Sequence, residues 1–218
     1  MESTLRRGAG APGLRLIETL GWDGAGFARL QLHLARLAAS AARLGWPCDL
    51  GAVQAALARA VGEAPAPARV RLTLNAEGGS EVALAAMPAQ AVLWRVGLAA
   101  ERLTSMDPWL TVKSSNRAVY DSARAQLPSG LDEVIFQNER GEVCDGSITT
   151  LFFDAGQGLC TPPLTCGLLP GVLRAEMLAT GTAREAVLHA ADVGRVQLWL
   201  GNSLRGLIPA VFMDQIGA

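Results

Sequence analysis

The chain has 218 residues, half of them hydrophobic, and a formal net charge of −1. That length suits one or two domains with a sizeable core. The absence of a basic excess speaks against nucleic acid as a partner, and no apolar run approaches the roughly 18 residues of a membrane span.

The N-terminal stretch MESTLRRGAGAPG carries charge with no apolar segment behind it, so export is not expected and the cytoplasm is the expected compartment. Cys48, Cys144, Cys160 and Cys166 form no CxxC pair, and His33 and His189 are the two histidines. Reduced thiols and no metal centre are expected, and Ser-His-Asp chemistry is disfavoured. Lys113 is the single lysine beside 18 arginines (19 Lys+Arg less this one). The count alone leaves open whether it survives a bias toward arginine or serves as a nucleophilic amine, which a guanidinium cannot do.

In chain order, residues 14–20 read as a strand whose polar pair, Glu18 and Thr19, either packs internally or faces a pocket. Residues 28–44 have the apolar spacing of an amphipathic helix, with Leu30, Leu34, Leu37, Ala41 and Leu44 on one face. His33 and Arg36 lie three apart on it, where the pattern places a solvated flank. Asp49 is placed to cap a second helix over 50–61. ARVRLTL at 68–74 alternates as a strand, with Arg69, Arg71 and Thr73 on one face, and a turn at 77–80 folds it back on a strand over 81–86.

Beyond MPAQA at 87–91, strands are expected at 92–98, 132–137, 148–153, 185–188, 196–200 and 208–213. Helices are expected over about 116–127, after Lys113, and over 172–179, opened by Pro170–Gly171. The helix start after Pro170–Gly171 and the turn Gly201–Asn202–Ser203 are of a kind that offers backbone N–H groups to phosphate. Neither matches a nucleotide loop.

Six blocks, HLARL at 33–37, RVRLTL at 69–74, KSSNRAVYD at 113–121, EVCDGSITTLFF at 142–153, TPPLTCGLLPG at 161–171 and NSLRGLIPA at 202–210, are ordered and spaced as in one known family. Over nearly its whole length the chain resembles the class IV aminotransferases, the fold-type IV pyridoxal phosphate enzymes. These include branched-chain and D-amino-acid aminotransferases and 4-amino-4-deoxychorismate lyase. The resemblance implies a two-domain α+β fold, with a small N-terminal domain at 1–87, a linker at 88–91 and a larger domain at 92–218 that carries the lysine. It also implies pyridoxal 5'-phosphate as cofactor, a small-molecule amino substrate and a homodimer.

By the same resemblance Lys113 forms the Schiff base and serves as catalytic base. Arg36 pairs with the cofactor phosphate, which replaces the solvated-flank reading for that residue. Val172 and the backbone of Leu173 form one phosphate turn, and Asn202 and Ser203 a second. Asp145 stands where the family usually has a glutamate facing the pyridine nitrogen, and Leu173 where members often have threonine. Arg117 occupies a position that branched-chain aminotransferases commonly give to tyrosine. With the Tyr120–Asp121 pair, the closing NSLRG and Thr19 on the first strand, it points toward the lyase branch, for 4-aminobenzoate formation in folate biosynthesis. Arg71 reads equally as a surface arginine or as a partner for a substrate carboxylate. An aminotransferase, and a cofactor-binding protein without turnover, are the other two readings.

Overall fold

The computed structural model describes residues 2–62 and 64–214; Met1, Glu63 and residues 215–218, which fall within the two expected domains, lie outside the described residues. The chain divides into two compact units, Met1–Ala89 with Val112–Asn116, and Gln90–Thr111 with Arg117–Ala218.

The first unit runs α1 (Glu2–Gly8), β1 (Leu16–Trp22), α2 (Leu30–Leu44), α3 (Leu50–Val61), β2 (Ala68–Leu74) and β3 (Ser80–Ala86). The strands form an antiparallel sheet in that order. Its core comes from alternation: Val70, Leu72 and Leu74 are buried while Arg69 and Arg71 are exposed. Asp49 caps α3 as expected, its carboxylate accepting from the amides of Gly51 and Ala52. The helix α1, with Leu5 fully buried, has no counterpart in the sequence reading. The next helix starts at Leu30 rather than Ala28, because Arg29 adopts a left-handed backbone (φ 57°) that a right-handed helix cannot continue through.

One expectation for α2 is overturned. His33 is not on a solvated flank; it is 2% exposed, and its Nδ1 lies 2.6 Å from Glu18 Oε2 on β1. Arg36, one turn further on, reaches the same carboxylate with Nε (2.8 Å to Oε1) and Nη2 (2.6 Å to Oε2). Helix and strand meet here through a buried, charge-assisted cluster rather than through leucine alone. Burial by itself would raise the Glu18 carboxyl. The charge and hydrogen bonds of Arg36, joined by His33, outweigh it and hold the group below its ordinary value of 4.5.

The second expected domain included the lysine, but residues 112–116 pack with the first unit. The amide of Ile17 donates to Lys113 O (2.9 Å), the amide of Ser115 donates to Arg15 O (2.8 Å), and Leu16 bridges Ser114. The segment runs antiparallel along the edge of β1 that β2 leaves open.

The second unit holds β4 (Trp94–Leu103), α4 (Ala118–Ala125), β5 (Glu133–Asn138), β6 (Val143–Gly146), β7 (Thr150–Asp154), β8 (Cys160–Thr161), α5 (Val172–Ala179), β9 (Arg184–Glu185), β10 (Gln197–Asn202) and β11 (Gly206–Phe212). They form a mixed sheet ordered β6-β5-β4-β11-β10-β7-β8-β9. Phe136, Ile135, Leu151 and Leu200 are fully buried in it. The strand expected at 185–188 stops at Glu185. Leu188 O instead accepts from the Val143 amide, so the chain just beyond β9 returns to β6. Among the described residues no helix is long and apolar enough to cross a membrane.

Cutting the Glu18 cluster is expected to be costly. Glu18→Ala should lower the unfolding free energy by about 3–5 kcal/mol, because it leaves a buried imidazole and a part-buried guanidinium without their carboxylate. Urea unfolding measures this, and a loss below about 1 kcal/mol would assign the cluster the weight of a surface pair. Since the folded-state carboxyl titrates below its ordinary 4.5, its contribution is complete above that pH and fades as pH falls further. Glu18→Gln should remove this acid-side loss.

Candidate active site

The residues singled out by sequence divide between the units. Lys113, Arg36, Thr19 and Arg71 belong to the first, and Arg117, Asp145, Val172, Leu173, Asn202 and Ser203 to the second.

In the first unit, strand register settles which residues are neighbours. Thr19 pairs directly with Arg71 across β1 and β2, so the two side chains stand side by side on one face of the sheet. The bridge of Leu16 to Ser114 sets Lys113 opposite Ile17. Alternation then assigns Lys113 to the face that carries Ile17, Thr19 and Arg71. Glu18 alternates to the other face, where α2 brings His33 and Arg36. The first unit thus offers an amine beside a hydroxyl and a guanidinium on one face, and a carboxylate-oriented guanidinium on the other.

In the second unit, Asp145 is the last residue but one of β6 and is 5% exposed. Its Oδ2 accepts from the Leu169 amide (3.1 Å), and the Tyr120 hydroxyl stands 3.4 Å from Oδ1. Burial, then the charge of Asp145, raise the Tyr120 phenol above its ordinary range, so it stays protonated and donates. The Tyr120 ring packs edge-on against Phe136 at 5.0 Å, and the Arg117 guanidinium lies 5.5 Å from the ring centroid. Arg117 also donates to Asp121 Oδ1 (2.8 Å) and to Ser147 O (2.8 Å). It is built into the cluster around Asp145, and Tyr120, which with Asp121 points toward the lyase branch in sequence, is a member of it through a contact that sequence did not reveal.

The two expected phosphate turns have different internal construction. At the first, α5 begins at Val172 after Gly171, and the opening amides of a helix lack partners within it. A Cβ on Gly171 would stand 2.5 Å from Thr150 Oγ1, so only glycine lets β7 approach this turn. Leu173 is buried among Phe152, Met177 and Ala183, which leaves its backbone as the part able to meet a ligand. Arg174, also buried, donates to Pro162 O (2.9 Å) and pairs with Glu185. Its Nε is a buried donor without a hydrogen-bond partner. At the second turn, the Asn202 side chain shapes its own backbone. Oδ1 accepts from the amides of Leu204 and Arg205 (3.0 Å each), while Nδ2 donates to Ile148 O (3.1 Å). Ser203 follows, 8% exposed.

Sequence reading also missed His33, Arg174 and Glu133. A carboxylate heading the apolar run Val134–Phe136 was the available signal at Glu133, which opens β5. Among the described residues, no group of three or more His, Cys, Asp or Glu side chains is placed to hold a metal.

Residues 15–211 match the family model for amino-transferase class IV. A protein of Schizosaccharomyces pombe named "Putative aminodeoxychorismate lyase" is 31% identical over 221 residues, covering 92% of this chain and 90% of that protein. The solved structure of a "Putative amino-acid aminotransferase" from Mesorhizobium loti is 44% identical with a TM-score of 0.88, covering 92% of this chain and all of that one (100%). A 4-amino-4-deoxychorismate lyase from Pseudomonas aeruginosa, 24% identical with a TM-score of 0.80 over 94% of this chain and 86% of that one, shares the fold. The α+β architecture built above is the one these structures have, and the chain belongs to the class IV aminotransferase family as one of its enzymes.

Proposed function

We propose that this chain is a pyridoxal 5'-phosphate-dependent lyase that converts 4-amino-4-deoxychorismate to 4-aminobenzoate and pyruvate, acting in the cytoplasm as a homodimer. The observation that carries the choice is the 31% identity, over nine-tenths of both chains, to the fission yeast protein named for that activity. The 44% identity to the Mesorhizobium loti protein named as an aminotransferase favours a second reading, transamination of a branched-chain or D-amino acid. A protein that binds the cofactor without turnover is the third, and the presence of Lys113, Arg36 and Asp145 together weighs against it.

Each unit by itself holds groups of the kind this cofactor needs. The first has one amine on a sheet face and a guanidinium oriented by Glu18; the second has a buried carboxylate on two donors and a helix start closed to any Cβ at Gly171. When bound, the cofactor supplies the electron sink that makes a hydrogen on the amine-bearing carbon removable. Lys113 would supply the amine that holds the cofactor and, once the substrate amine is bound, would take the proton from the carbon bearing the nitrogen. Asp145 is assigned to keep the ring nitrogen protonated, its orientation held by Leu169 and Tyr120. Arg36, the amides of Val172 and Leu173, and the turn at Asn202 and Ser203 are assigned the phosphate. Thr19, Arg71 and Arg117 are assigned to the substrate. In the lyase the electron pair left by the proton expels the enolpyruvyl oxygen from the adjacent ring carbon. The enol becomes pyruvate and the ring becomes aromatic.

Incubation with 4-amino-4-deoxychorismate is expected to release 4-aminobenzoate and pyruvate in equal amounts. No product, together with amino transfer from leucine or D-alanine to 2-oxoglutarate, would transfer the assignment to the second reading. Borohydride should fix the cofactor on the peptide containing Lys113, and Lys113→Ala should lower turnover by about 100-fold or more. Asp145→Ala should lower turnover and change the cofactor's absorption. Wild-type turnover with an unchanged spectrum would remove Asp145 from its role.

A further inference from the structure

Glu133 takes no part in the reaction as assigned, yet it is a fully buried carboxylate. Its Oε1 accepts from Ser147 Oγ (2.5 Å) and from the Val134 amide (3.1 Å). Its Oε2 accepts from Thr149 Oγ1 (3.2 Å) and from the Ile148 amide (3.3 Å). Arg124, partly exposed, stands 3.5 Å away. A charge taken out of water is tolerated only when donors replace the water, and three of these donors come from the single turn that joins β6 to β7. The turn is closed tightly around the carboxylate: a Cβ on Gly146 would stand 2.4 Å from Thr149 Oγ1 and 3.1 Å from Glu133 Oε2.

The outward side of the same turn serves the assigned site. Ser147 O accepts from Arg117, and Ile148 O accepts from Asn202, whose other end holds the amides of Leu204 and Arg205. Asp145 immediately precedes the turn. A hydrogen-bonded path therefore runs from Glu133 through the Ile148 peptide and the Asn202 side chain to the backbone at 204–205.

We infer that Glu133 is a positioning residue, whose carboxylate fixes the 146–149 turn and through Asn202 sets the phosphate-side turn at 202–205. This rests on the reading that the turn at Asn202 and Ser203 meets the cofactor phosphate. Two measurements test it separately on the full chain with Glu133→Gln, which keeps the size but replaces an acceptor oxygen by a donor group. The first needs no cofactor. Amide hydrogen exchange of the cofactor-free protein should rise at least about tenfold at Leu204 and Arg205 and remain unchanged at β2 and β3, and unchanged exchange at 204–205 overturns the inference. The second compares binding of pyridoxal 5'-phosphate with that of pyridoxal. Glu133→Gln and Asn202→Ala should each reduce the preference for the phosphorylated form, and the double variant should lose no more than the larger single loss. Equal weakening of both ligands, with a lower melting temperature alone, would make Glu133 a merely structural residue and overturn the inference. If exchange rises as expected but the wild type binds neither ligand, the functional reading fails while the positioning role stands. Should Glu133→Gln fail to fold, Ser147→Ala removes the shortest of the contacts and is expected to give the same pattern at smaller amplitude.

Discussion

A carboxylate removed from water loses several kcal/mol of hydration unless donors are brought to replace it, and this chain meets that demand twice, beside its assigned chemistry. Glu18 and Glu133 both sit on strands, where ladder hydrogen bonds hold the backbone and the carboxylate is the fixed point. The donors must come to it. For Glu18 they arrive on α2, which delivers His33 and Arg36 to one pair of oxygens. For Glu133 they arrive as a turn, with two hydroxyls and the Ile148 amide folded inward. In each case one of the groups that satisfy the acid, Arg36 for Glu18 and the Ile148 backbone for Glu133, is assigned to the cofactor or is bonded to a group that is.

This explains which parts of the fold were legible in sequence. ARVRLTL alternates in a period that needs no partner to interpret, and its observed bounds are those read from the pattern. Asp49 and the Pro170–Gly171 pair act within three or four residues of themselves, and the two helices they open have the expected bounds. Arg36 read from pattern alone was a flank residue, because nothing within α2 reveals a carboxylate eighteen positions earlier. His33 was misplaced for the same reason. The lysine segment has no hydrophobic period of its own, and it joins the first unit through bonds to Arg15 and β1 about a hundred residues away. The family resemblance supplied Lys113, Arg36 and Asp145. It did not supply Glu133, nor the contact of Tyr120 with Asp145, whose importance lies in what they hold.

The two departures from the family pattern have physical counterparts in the second unit. Leu173 stands where members often carry threonine, and its side chain fills an apolar cluster with Phe152 and Met177. A hydroxyl contribution is exchanged for core packing, which leaves the helix-start amides as the means of meeting a phosphate there. Asp145 is one methylene shorter than glutamate, and it is fixed from two sides, by the Leu169 amide and the Tyr120 hydroxyl. A short carboxylate has fewer rotamers to lose, and two donors leave it little freedom to turn.

Arg117 brings the question of substrate into that same cluster. At this position the lyase-like arginine lies over the Tyr120 ring, and its remaining contacts run to Asp121 and to the turn that Glu133 supports. A tyrosine there would lack the fork that reaches Ser147 O. The residue that the family resemblance takes as a pointer to the lyase branch is therefore tied to Asp145 through Tyr120. On the proposed assignments, substrate choice and ring electronics are not independent variables in this chain. An exchange at 117 that changed the preferred substrate would also disturb the donor that holds Asp145, and the coupling runs through a phenol whose burial keeps it protonated.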